Sequence, residues 1–488
     1  MPKSSENHSK PTIVWFRQDL RIEDHPALAA ASELGNPIIP IYIWSPEDEG
    51  KWPIGAASKW WLHHSLESLQ NELSHRNLKL IILKGSYLKT LMKLVEETES
   101  EVVLWNRCYE PAFLESDTAI KAALQKKGME TKSFNGSLLY DPWKILNKQH
   151  KPFKVFTYFW KDCLKSGDPS QPAVYTKHFI AYPKKIVSES LDSLELLPKI
   201  HWDKGLIDTW QPGEKHAQAA LKKAIKTVLP NYTETRDFPF LNGTSQLSPY
   251  LHFGEISPRA IWQAVSKSKE LDKDQAQAFL RQLGWREFGY YLLYHFPHTP
   301  EHPLYPKYEN LPWRKDPEGL TAWQKGLTGY PLIDAGMRQL WKIGWMHNRV
   351  RMLVGSFLVK DLLIAWQEGE KWFWDTLVDA NLANNTLGWQ WVGGCGADAA
   401  PYFRVFNPVV QGEKFDAKGE YVKKWVPELA DLPVKWIHRP WEAPEDVLRQ
   451  AGVVLGENYP KPLVDHDQAR LRALEGFKSL KNFEDEED

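Results

Sequence analysis

The chain has 488 residues, 42% hydrophobic and 25% charged, with a formal net charge of −1. That size accommodates two or three domains with substantial cores, and the balance is that of a soluble globular protein. It excludes a membrane span, since no run of about eighteen apolar residues occurs, and a disulfide framework or four-thiolate metal site, since Cys108, Cys163 and Cys395 stand far apart.

The opening MPKSSENHSK is polar and lacks a signal-peptide core, which fits a cytoplasmic chain. TIVWF (12–16), IIPIYIW (38–44), LKLIIL (78–83) and EVVLW (101–105) then read as buried strands. HPALAAASEL (25–34), WWLHHSLESLQNEL (60–73) and YLKTLMKLVEET (87–98) alternate with them at helical spacing. Such alternation predicts a parallel, Rossmann-like sheet with helices on both faces. Ligands of such sheets sit beyond the carboxyl ends of the strands, here FRQDLR, WSPEDEG and WNRCYEP. No glycine-rich phosphate loop follows the first strand.

The pattern weakens from about 140 to 210, where KSGDPSQPAVYTK reads as a surface connector. Beyond it helical periodicity dominates: EKHAQAALKKAIKTVL, QAQAFLRQLGWREFGYYLLYHF, PLIDAGMRQLWKIG and RVRMLVGSFLVKDLLIAW are all predicted helices. The chain thus divides into an α/β domain (10–140), a connector (141–210) and a larger all-α domain (211–480).

Chemistry concentrates between Gly344 and Trp391, and nine of the 24 tryptophans fall between 301 and 400. An indole is a costly filler because its N–H needs a partner, and it stacks on flat rings and passes electrons. Thr244, Ser245 and Ser248 precede a helical stretch, where hydroxyls and free N–H groups can cradle phosphate. Arg286 follows Gln282 by one turn and adjoins Trp285, and its fork of donors also suits phosphate. Asn348 and Met352 share a helix face, flanked by Arg349 and Arg351. Asp379, Asn381 and Asn385 offer donors and acceptors to a polar ring edge. Each has a plainer reading as a cap, core residue or solvated charge.

The strings WFRQDLRIEDHPAL, TSQLSPYLHFGEISPR, GWREF, TGYPLIDAGMRQLWKIGWMHNRVRM, WQW and FNPVVQGEKFD resemble the photolyase/cryptochrome family over nearly the whole chain. KWFWDTLVDANL and HRPWEAPEDVLRQAG also resemble plant-type cryptochromes, a mixture typical of bacterial repair enzymes for cyclobutane pyrimidine dimers. The resemblance implies a noncovalent FAD in the helical domain. Tyr232, Thr244, Ser245, Gln246, Leu247 and Ser248 would line its phosphates and ribose, and Arg286 would meet the phosphates. Asn348, Asp379, Ala380 and Asn381 would meet the ring, with Asn385 at its N5. Position 381 is usually aspartate in the family, so Asn381 is a departure. Trp389, Trp366 and Trp313 match the family's electron relay from flavin to surface.

For the substrate, UV-damaged DNA, the resemblance implies contacts from Arg236, Gln282, Trp285, Asn348, Arg349, Met352, Trp391 and Gln411. Light-excited reduced flavin would lend an electron that splits the dimer and then returns. Six-four photolyases carry histidines where this chain has Asn348 and Met352, and neither residue can supply their proton transfer. Gln282 points the other way, since cyclobutane-dimer enzymes usually have glutamate there. The alternatives are a six-four photolyase and a blue-light receptor. Against the receptor stand Asn385, where plant cryptochromes carry aspartate, and Trp391, where they tend to carry tyrosine. The family further implies an antenna chromophore in the α/β domain, methenyltetrahydrofolate or a deazaflavin. The likeness to plant cryptochromes favours folate, with Asn106 and Glu110 of WNRCYEP as the place. No metal and no membrane are implied, and the expected state is a monomer.

Overall fold

The computed structural model describes residues 10–399 and 404–484, so the polar opening lies outside it. Its first unit runs β1 (Thr12–Phe16), α1 (Pro26–Leu34), β2 (Pro37–Trp44), α2 (Ala56–Ser74), β3 (Ile81–Lys84), α3 (Tyr87–Thr98), β4 (Val102–Asn106), α4 (Pro111–Lys126) and β5 (Glu130–Phe134). The strands pair in parallel in the order β3-β2-β1-β4-β5, with Thr12 of β1 opposite both Ile38 and Val102. β1 is buried along its whole length, which is why its sequence is a continuous apolar run. β5 reads ETKSF and was not expected from the sequence. It is an edge strand with a half-exposed surface, so it carries no apolar pattern.

The second unit is helical. After α5 (Phe156–Lys165) a two-residue strand, β6 (Ile180–Ala181), pairs with the start of β2. Then come α6 (Lys204–Thr209), α7 (Glu214–Lys223), α8 (Tyr232–Thr235), α9 (Ser248–His252), α10 (Pro258–Ser266) and the long α11 (Lys273–His295). The chain continues through α12 (Pro317–Lys325), α13 (Pro331–Ile343), α14 (Asn348–Ser356), α15 (Trp366–Thr376) and α16 (Leu382–Gly393). It closes with α17 (Pro408–Phe415), α18 (Glu420–Trp425), α19 (Glu445–Gln450) and α20 (His466–Glu484). Among the described residues no helix is long and apolar enough to cross a membrane.

The predicted single helix over 349–366 is instead interrupted. α14 passes into a π turn (Phe357–Asp361), Leu363 takes a left-handed φ of 57°, and Trp366 opens a new helix. Tertiary contacts account for the break. The carboxylate of buried Asp361 meets His466 at 2.6 Å and its carbonyl accepts from Arg472, both on α20. The segment between the two units is also more than a connector, because Phe156, Phe159, Trp160 and Cys163 of α5 are buried in the core beside Phe288 and Tyr291 of α11.

The carboxyl end of β1 does not open on a ligand crevice. The loop after it is clasped by the helical unit. Leu20 N–H donates to Phe253 O, Arg21 donates to Gly254 O and Gly136 O, and Asp24 pairs with Arg259 at 2.8 Å. Glu214 accepts from Ile22 and Glu23 N–H. Gly254 is required here: its φ is 64°, and a Cβ would lie 2.3 Å from Gln18 O. Nearby, buried Glu255 accepts from Trp61, Ser65 and Gly213, which ties α2 to the helical unit.

Burial pushes the Glu255 carboxyl up to about 8, against the pull of those donors. The folded protein therefore holds a proton there that the unfolded chain loses near its ordinary value. The stability this contributes is full below that value and is lost as pH rises through about 8. In urea titrations between pH 6 and 9, wild type should lose stability relative to Glu255→Gln as pH rises; a constant difference would show that Glu255 does not titrate there.

Candidate flavin and DNA site

The loop before α9 brings its polar groups to one wall. Thr244 and Ser245 are half-buried, Gln246 turns through a left-handed φ of 53°, and Leu247 is buried at the helix cap. The Ser248 hydroxyl donates to Asp379 at 2.6 Å, and Arg351 grips the same carboxylate at 3.0 and 2.8 Å. Trp345 N–H reaches Ser248 Oγ at 3.4 Å. His252, on the same short helix, is buried, and its Nδ1 finds no partner among the described residues. Burial lowers its pKa to about 4, and Asp379 and Arg286 are both close enough to perturb it. Arg351 and His252 were not assigned roles from sequence. The spacing of NRVR and the SPYLH string carried the only signal.

Arg286 has partners within the protein. Its guanidinium donates to Ser137 O at 2.8 Å, contacts Glu287, and lies 4.8 Å from the Tyr290 ring centre. Tyr232 is buried beneath Arg236, and its ring meets Phe279 edge-on at 5.5 Å.

Asn381 caps α16: its side-chain carbonyl accepts from Asn384 N–H, and its amide donates to Tyr290 OH at 2.5 Å. Both ends of the amide are thus used; an aspartate would instead have to accept from the Tyr290 hydroxyl. Ala380 is buried beside it. Asn385 lies one turn into α16, and its Nδ2 donates to Glu370 O at 2.9 Å. A carbonyl partner requires the nitrogen on that side, so Oδ1 is turned the other way. Glu370 is fully buried, which raises its carboxyl well above the usual range, and Thr386 Oγ1 donates to it at 2.6 Å.

Trp389 follows Asn385 by one turn on α16. It is buried against Phe373 (4.9 Å) and Trp323 (6.1 Å), and its N–H has no partner among the described residues. Trp366 opens α15, whose Gly369 admits the Trp389 ring. Trp389 and Trp366 share one core cluster. Trp313 packs at its edge, where Ala473, Phe477 and Leu480 of α20 also meet it.

The residues assigned to DNA lie on five segments: the end of α8, α11, α14, α16 and α17. Asn348 opens α14, and its Nδ2 approaches Met352 Sδ at 3.9 Å, so the two share a face as predicted. His347 caps this helix through Nδ1, accepting from Arg349 N–H. Trp285 stacks on Phe156 at 3.8 Å and 8°, so one of its faces is already covered; Phe156 was missed in the sequence. Gln282 is half-buried, with Nε2 3.3 Å from Ala278 O. Trp391 is half-buried against the cluster that holds Trp366 and Trp389. Arg349 bonds Asp237 at 2.8 Å, and Arg236 and Gln411 lie half-exposed on neighbouring segments.

An α/β unit is thus clasped to a helical unit that carries a polar cradle beside buried indoles. Residues 12–176 match the family described as DNA photolyase, and 279–479 match the FAD binding domain of DNA photolyase. A deoxyribodipyrimidine photo-lyase of Agrobacterium fabrum is 47% identical, covering 96% of this chain and 98% of that protein. Cryptochrome-2 of Arabidopsis thaliana is 42% identical over 94% of this chain and 78% of its own. A bacterial class III photolyase from Agrobacterium tumefaciens superposes with a TM-score of 0.95 at 46% identity, covering 99% of this chain and all of that one. The chain belongs to the photolyase/cryptochrome family.

A Cβ at position 369 would lie 2.1 Å from the Trp389 ring. Gly369→Ala should therefore destabilise the fold by about 1–3 kcal/mol through forced repacking. Denaturant unfolding checks this, and an unchanged midpoint would mean that the ring can yield.

Proposed function

We propose that the protein is a light-dependent DNA-repair enzyme, a deoxyribodipyrimidine photo-lyase that splits cyclobutane pyrimidine dimers. The residues fit a noncovalent FAD. The Ser248–Asp379–Arg351 rim offers hydroxyl, carboxylate and guanidinium, and the unpartnered His252 nitrogen beside it awaits a polar neighbour. Tyr232, Thr244, Ser245, Gln246, Leu247, Arg286, Asn348, Ala380 and Asn381 would complete the enclosure. When bound and reduced, FAD supplies an electron under blue light.

The observation that carries repair over signalling is the orientation of Asn385. Its nitrogen is tied to Glu370 O, so it would present a carbonyl to the ring. A carbonyl accepts a hydrogen bond and cannot deliver a proton, which favours a cofactor kept reduced. Trp389, Trp366 and Trp313 would carry electrons inward. Trp285 and Trp391 would wall the extruded dimer, at about 1–3 kcal/mol per stacked base. Asn348, Met352 and Gln282 would bond its edges, and Arg236, Arg349 and Gln411 would hold the DNA strand.

A six-four photolyase needs an imidazole that gives up a proton to the lesion. His347 adjoins Asn348, but burial lowers its pKa to about 4 and its Nδ1 is spent as a helix cap. It is neutral at physiological pH, which favours the cyclobutane dimer. We place the enzyme in the cytoplasm as a monomer; its three cysteines are free and buried, as a reducing compartment permits.

For the antenna we retain methenyltetrahydrofolate over a deazaflavin, but at a different place. Asn106 is consumed internally, donating to Asp19 and accepting from Ala27. Glu110 is buried, and burial raises its pKa. A cleft of about 790 Å³ between α5, α10 and α11, walled by Trp160 and Trp262, suits a flat pterin better.

Under blue light the purified protein should restore thymine absorbance in oligonucleotides bearing cyclobutane dimers and leave six-four products intact. Gln282→Glu should raise repair of the former severalfold. Trp389→Phe should stop photoreduction but spare repair by chemically reduced enzyme. Activity on six-four products alone would sink the proposal. Trp262→Ala should remove the antenna band from the absorbance spectrum and keep the flavin bands; an unaltered spectrum would place the antenna elsewhere.

A further inference from the structure

Two guanidinium groups from separate segments converge on one carboxylate oxygen. Arg349 Nη2, on α14, lies 2.8 Å from Asp237 Oδ1, and Arg236 Nε, just past α8, lies 4.0 Å from the same atom. Aromatic rings flank both cations. Arg349 lies 4.4 Å from the centre of Phe415, and Arg236 lies 5.4 Å from that of Tyr232. Lys414 adds a third cation 5.1 Å from the Phe415 ring. Arg349 is about a fifth exposed, so part of its guanidinium is open to an incoming acceptor, and its buried Nε has no partner among the described residues. Two cations thus meet a single carboxylate that is 41% exposed, with a third on the neighbouring Phe415 ring.

We infer that Asp237 is a phosphate stand-in: it occupies, in the free protein, the position at Arg349 that a DNA phosphate takes on binding. The inference rests on the reading of DNA as substrate. A phosphate matches the guanidinium fork through two oxygens where Asp237 uses one, so it wins the exchange. The exchange still costs the Arg349–Asp237 pair, and it leaves the carboxylate beside the strand. Asp237 thereby lowers affinity for every phosphate backbone, and only a strand with additional pocket contacts holds on. It also keeps Arg349 aligned over Phe415 while no DNA is present.

The test is equilibrium binding in the dark, with the FAD-loaded full chain, to an undamaged duplex and to one carrying a single cyclobutane thymine dimer, over a series of salt concentrations. Asp237→Asn should tighten binding of the undamaged duplex about 3- to 10-fold at low salt, the gain shrinking as salt rises. Asp237→Glu, which keeps the charge, should stay near wild type. In an Arg349→Ala background Asp237→Asn should change affinity less than about 2-fold, because no pair is left to break. An equal gain in both backgrounds would reduce Asp237 to a long-range repulsion and overturn the inference. Weaker binding by Asp237→Asn would overturn it too, by making Asp237 a support for Arg349 alone. Wild type that binds both duplexes equally would count against the repair reading, while the undamaged duplex still judges Asp237.

Discussion

Everything in this molecule depends on the buried polar seam between its two units. Arg21, Asp24, Arg259, Glu214 and Glu255 are all nearly inaccessible to water, and each finds its partners across the seam. Apolar surfaces alone would let the units slide. Buried polar and charged groups cannot, because one left without its partner costs about 1–3 kcal/mol, and more if charged. The seam therefore trades some raw stability for a single relative orientation. The helical unit never has to hold its site rigid by itself.

α11 transmits that orientation. Glu287 on this helix accepts from the backbone of Leu139 and Tyr140, at the end of the α/β unit. The same helix carries Gln282, Trp285 and Arg286, and Phe156 of the intervening segment is pressed onto Trp285. Movement of the first unit would be felt directly at the aromatic wall. Opposite α11, α15 and α16 lock through Glu370, which receives both Thr386 and Asn385. Asn385 and Trp389 therefore share one rigid support.

The sequence made some of this legible and hid the rest for physical reasons. β1, β2 and β4 are buried on both faces and announce themselves as apolar runs, whereas β5 lies at an edge and does not. The pairing of Asn348 with Met352 follows from helical spacing alone. The break after α14 could not be read, because its cause is an aspartate answered by α20 about a hundred residues later. Nor could the orientation of Asn385, which depends on a backbone carbonyl that has no identity in sequence. Tyr290, which takes up the unusual amide of Asn381, lies 91 positions away.

The clasp on the loop after β1 has a consequence for synthesis. Arg21 and its acceptor at Gly254 are separated by 233 positions. At usual rates of elongation the second arrives on the order of tens of seconds after the first. During that interval the nascent α/β unit can form its sheet but must leave Arg21, Asp24 and the N–H groups of residues 22 and 23 in water. That end of the sheet stays provisional until α7 and α10 emerge from the ribosome. Folding of the amino-terminal half is thus completed by the carboxyl-terminal half, and a ribosome stalled in between would display an unsealed edge to the cell's chaperones.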